Sequence, residues 1–185
     1  MKNERTSQAC RAGFRRRGDR RPAGAAKRLR SVGLALLAAM ALAAVLEAAT
    51  LTVTGSWSVS IGQANLTGSA GSDLTSTYTS TTSQATMSVS NASGHNWRID
   101  VYRQDTTWNA NLHLWLQRTN SGTSGTGSGS GGTTYMEATT TTQTWMTGTG
   151  NRSGFTLQFQ LTGVSCAVPA TSYSTTIVYT IVQTS

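Results

Sequence analysis

From Thr50 onward, apolar residues recur at every second position, with Thr, Ser, Gln or Arg between them. A strand with one buried face imposes that period, whereas a helix needs apolar residues three and four apart. Leu51, Val53, Trp57, Val59 and Ile61 share one parity, interrupted at Gly55, where a bulge or a break between two short strands is expected. Ala85, Met87 and Val89 form a second set and Trp97, Ile99 and Val101 a third. The turn formers from Asn91 to Gly94 predict that these two sets make a hairpin. Ala110, Leu112, Leu114 and Leu116 follow, then Phe155, Leu157, Phe159 and Leu161, and Tyr173, Ile177, Tyr179 and Ile181 close the series. Threonine at this density suits a pleated surface, because its branched Cβ packs well there. Short strands separated by Gly and Ser turns predict an all-β fold, an antiparallel two-sheet β-sandwich of the immunoglobulin-like or pilin-like kind.

Charge divides the chain in two. The formal net charge is +8, which spread over a fold would point to nucleic acid or an anionic membrane. It is not spread: eleven basic residues face three acidic ones up to Ala49. Beyond Ala49, Arg98, Arg103, Arg118 and Arg152 balance Asp73, Asp100, Asp105 and Glu137, and there is no lysine. A nucleic-acid partner is therefore not expected. The basic stretch to Arg30, the apolar run Val32 to Leu46 and the small residues Ala48 and Ala49 read as a signal peptide with an N-terminal signal helix. The run, about 15 residues, falls short of the roughly 20 of a comfortable membrane span, which favours cleavage over a permanent anchor. The expected organisation is a signal over 1–49 and one sandwich domain over 50–185, secreted or at the cell surface; membrane contact would come only through an uncleaved signal.

Within the domain, the stretch 120–134 (NSGTSGTGSGSGGTT) has no side chain to bury and is expected as a flexible surface loop. It lacks the Lys of a phosphate loop and the Asp of a calcium repeat. Cys166 is left alone once Cys10 departs with the signal, and Val164, Ala167 and Val168 around it favour a buried small apolar residue over a hook for another chain. Two His, four carboxylates and one Cys are a thin supply for catalysis, so no enzyme, catalytic residue, metal or cofactor is expected. Asp100 and Asp105, near Arg98 and Arg103, read as solvated ion pairs. One row stands out: Asn109, Asn111, His113, Trp115 and Gln117 occupy the parity opposite Leu112, Leu114 and Leu116. Trp offers an apolar plate to a sugar ring while Asn, Gln and His reach its hydroxyls, which makes these five the candidate ligand-binding residues. Coverage of Trp115 by a neighbouring segment is the equal alternative. Trp57 and Trp97 share parity with buried positions and are expected in the core.

The last segment, Pro169-Ala-Thr-Ser-Tyr-Ser-Thr-Thr-Ile-Val-Tyr-Thr-Ile181, resembles the closing segment of secreted bacterial sandwiches of the WxL cell-wall-binding and spore-coat/fimbrial-subunit types. The likeness covers about 20 residues. Trp57-Ser-Val59 and Trp97-Arg-Ile99 depart from a Trp-x-Leu motif at the aliphatic position. The resemblance implies a non-catalytic extracellular structural or adhesive protein, coat- or filament-subunit-like, self-associating through edge strands. The alternative is a monomeric module that binds a cell-wall or surface glycan through the Trp115 face.

Overall fold

The structure, a computed structural model, describes residues 48–184. The expected signal lies, apart from its last two residues, outside the described residues. The described chain is all-β. Its strands are β1 (Thr50–Thr54), β2 (Thr77–Thr79), β3 (Ala85–Ser90), β4 (Asn96–Thr107), β5 (His113–Arg118), β6 (Ser128–Gly131), β7 (Met136–Glu137), β8 (Gln143–Thr149), β9 (Arg152–Thr162) and β10 (Ser174–Thr184), with one 3₁₀ turn at Gln63–Asn65. They make two antiparallel sheets. The first runs β1-β3-β9-β5-β7, with β2 pairing the end of β9 beyond β3; the second runs β10-β4-β8-β6.

The alternating parity buries one face of each sheet against the other. Met87, Leu116, Phe155 and Leu157 from the first sheet meet Trp97, Ile99, Val101 and Met146 from the second, all under 2% exposed. Trp97 sits edge-on to Phe155, centroids 6.5 Å apart, and its Nε1–H donates to Gly150 O at 2.8 Å. Gly148 of β8 lies so close that a Cβ there would fall 2.2 Å from the Trp97 ring. Only glycine fits that contact.

The segments 85–89 and 97–101, expected as a hairpin, instead join different sheets. Both parities face the same core from opposite sides, so the link arches over it rather than folding a ladder. Asn91 takes φ 54 there, Gly94 φ 75, and Asn151 Oδ1 accepts the Ala92 N–H at 2.7 Å. Ala110, expected within a strand, sits exposed in the turn before β5.

The stretch 120–134, expected as a loop that buries nothing, carries β6, which pairs with β8. Backbone fits there because side chains are absent: a Cβ on Gly129 would lie 2.8 Å from the Phe155 ring. Two arginines gather its carbonyls. Arg118 is buried, with Nε–H donating to Gly131 O, Nη1–H to Asn120 O at 2.7 Å and Nη2–H to Gly129 O at 3.3 Å. Burial pushes its pKa down. Arg152 donates to Ser121 O, Gly122 O and Gly125 O.

Both expected Arg–Asp pairs form, but one partner of each is shielded, Asp100 in the first and Arg103 in the second, while Arg98 and Asp105 stay partly exposed. Asp100 is 8% exposed, held by Arg98 at 2.8 Å and by the Thr144 hydroxyl at 2.9 Å, and the Arg98 hydrogen bonds hold its carboxyl below the usual range. Arg103 continues the inward parity of Trp97, Ile99 and Val101. Its guanidinium lies 4.5 Å from the Trp108 ring centroid, within the range of cation–π attraction. Its Nε approaches Asp105 Oδ1 at 2.9 Å, yet Nε and Nη1 are buried without a hydrogen-bond partner among the described residues.

Candidate functional site

The five residues singled out from the sequence separate into two groups. His113, Trp115 and Gln117 stand on the outer face of β5, where they alternate with buried Leu114, Leu116 and Arg118. Asn109 and Asn111 do not continue that row. They belong to the turn before the strand, where Asn109 Oδ1 accepts the Asn111 N–H at 2.9 Å and Asn109 O accepts the Leu112 N–H at 3.0 Å. The alternation begins only at His113, because a local Asn turn before it competes with the ladder.

Cross-strand neighbours complete the face. Trp115 lies between Glu137 of β7 and Gln160 of β9, and its Nε1–H donates to Thr162 Oγ1 at 3.0 Å. Gln117 pairs with Gln158, Nε2–H to Oε1 at 2.8 Å, and Gln158 Nε2–H donates on to Ser80 O at 3.0 Å. His113 Nδ1 lies 2.6 Å from Glu137 Oε1. Trp115 is half-buried by these neighbours. The face is amide- and hydroxyl-rich and internally hydrogen-bonded.

A second feature was not legible as a site. β10 is bonded to β4 on one side, and no strand of the described chain pairs with its other side. Its sequence STTIVYTIVQT contains no charge and no proline. Such residues are what blunt an exposed edge against pairing with another chain. Beside the first half of β10 opens a cleft of about 970 Å³. Trp57 and Trp108 line it, with Leu114 and Phe159 from the first sheet and Ile177 and Tyr179 from the second. Trp57 stacks on Phe159 with centroids 6.4 Å apart, so the segment after Gly55 lies over its own core. Tyr179 Oη is buried without a hydrogen-bond partner among the described residues, and desolvation pushes its pKa up. β1, the free edge of the first sheet, lies alongside β10.

Cys166 is exposed, not buried as expected. The chain turns there instead of running as a strand, so the burial of Val164 does not extend to it. Asp73 Oδ1 accepts the Cys166 N–H at 2.7 Å, and this bond and the one from Leu74 hold the Asp73 carboxyl below its ordinary range. Among the described residues, no three His, Cys, Asp or Glu side chains gather as a metal site, and no helix is long and apolar enough to cross a membrane.

Comparison of the chain with protein-family models, curated proteins and solved structures gave no match.

Proposed function

We propose that the exported domain is a non-catalytic extracellular structural or adhesive subunit, of the pilin-like or immunoglobulin-like kind, that joins copies of itself along a strand edge. The observation that supports this reading is the free side of β10: 11 residues, uncharged, beside a cleft that Trp57, Trp108, Ile177 and Tyr179 help to line. A row of unpaired N–H and C=O groups is a template for a further strand, and lysine on such an edge is the usual deterrent. The domain has no lysine to place there. The incoming strand comes from a second copy of this chain, whose own edges carry the same unblocked groups.

The test is light scattering on residues 50–185 over a concentration series. Mass should rise with concentration for the unaltered domain. Lysines at the exposed positions Thr176 and Thr180 should hold it at the monomer while leaving its circular dichroism unchanged. A monomer at every concentration would end the proposal.

A further inference from the structure

The outer face of the first sheet carries a feature independent of the β10 edge. Next to Gln117 the face dips into a hollow of about 350 Å³, at the lower end of ligand-pocket sizes. Gln117, Gln158, Thr82, Thr119, Asn120 and Thr133 line it with amides and hydroxyls. Arg118 also borders it, but its guanidinium is committed to the carbonyls of Gly131, Asn120 and Gly129. The hollow therefore offers no uncommitted cation to a phosphate or a uronate, and too little apolar surface for a lipid.

Its walls are fixed in advance. Asn120 Oδ1 accepts from Gly122 N–H and Thr156 N–H while its Nδ2–H donates to Gly154 O. The Gln117 to Gln158 to Ser80 relay orients both glutamines and leaves Gln117 Oε1 as an acceptor unused by the described residues. Trp115 stands two residues along β5 on the same face, about 7 Å away at the rise of a strand. An amphipathic ring plate beside an oriented, unused amide acceptor and the unused hydroxyls of Thr82 and Thr133 is suited to a chain of pyranose rings, one stacked on the indole and the next hydrogen-bonded in the hollow.

We infer that this face, Trp115 with Gln117, Gln158 and the hollow beyond them, is a binding site for a neutral polysaccharide. Asn109 and Asn111 lie outside it. The inference stands apart from the self-association reading, because lysines on β10 leave these residues untouched.

Titration calorimetry on the intact protein tests it, with cellohexaose and chitohexaose as neutral probes and an oligogalacturonate as the anionic one. At least one neutral probe should bind. Trp115→Ala and Gln117→Leu should each weaken it by about tenfold, the scale of one aromatic contact or hydrogen bond lost. Trp115→Phe should keep most of the affinity, and Asn111→Ala should change nothing. Trp115→Phe separates loss of the plate from loss of the fold if the alanine variant is unstable. Binding of the oligogalacturonate alone, binding of no probe, or full affinity in Gln117→Leu would overturn the inference.

Discussion

Arg118→Met should destabilise the domain by about 3 kcal/mol in urea unfolding, the scale of hydrogen bonds from a charged donor that are lost while their acceptors stay enclosed. Arg118 is 6% exposed and its guanidinium has no carboxylate partner among the described residues; it is held by carbonyls from both ends of the Gly/Ser stretch, 6.0 Å from the Phe155 ring. Methionine fills much of the volume but donates nothing, so Asn120 O and Gly129 O lose their charged donor. The same variant should be cut faster by proteases within residues 120–134. Arg118→Lys should recover only part of the loss, since one ammonium cannot reproduce a planar fork reaching three carbonyls. A loss below about 0.5 kcal/mol, the range of ordinary surface substitutions, would show that the arginine does not organise the stretch.

The second large effect is expected at Trp97. The residue is 1% exposed, and its ring crosses from the second sheet onto Phe155 and fits against a glycine that leaves no room for a methyl group. Trp97→Ala removes this area and leaves a cavity that a two-sheet core collapses poorly around, at a cost of about 4 kcal/mol. Domains of this size carry roughly 5–15 kcal/mol in all. The variant should therefore unfold at a much lower urea midpoint. A midpoint close to that of the parent would mean that Trp97 does not hold the two sheets together.

What could be read in advance follows from how each strand signals itself. β5 and β9 were legible because each buries one strict parity, Leu114 and Leu116 in the first and Phe155 to Leu161 in the second. β8 was not, because a bulge against β4 buries Trp145 and Met146 in succession and erases the period. β6 was hidden for the opposite reason: Ser128–Gly131 has no apolar side chain, and pairing through backbone alone leaves no mark in composition. The two inward arginines did leave a signal. Arg118 and Arg103 each extend the apolar parity of their strand by one step, and a charged residue at such a position needs carbonyls or an aromatic cover. Of the candidate row, His113, Trp115 and Gln117 were placed correctly on one face by alternation. Gln158 and Gln160, which complete it, come from a strand about 40 residues away, and only register brings them together.

Hydrogen exchange on β10 tests self-association most directly. Amides of Ser174–Thr184 in the concentrated, unaltered domain should exchange more slowly than in the Thr176→Lys/Thr180→Lys variant, while β6 amides exchange alike in both. Equal exchange along β10 in the two proteins, or protection gained elsewhere, would contradict the strand-edge account.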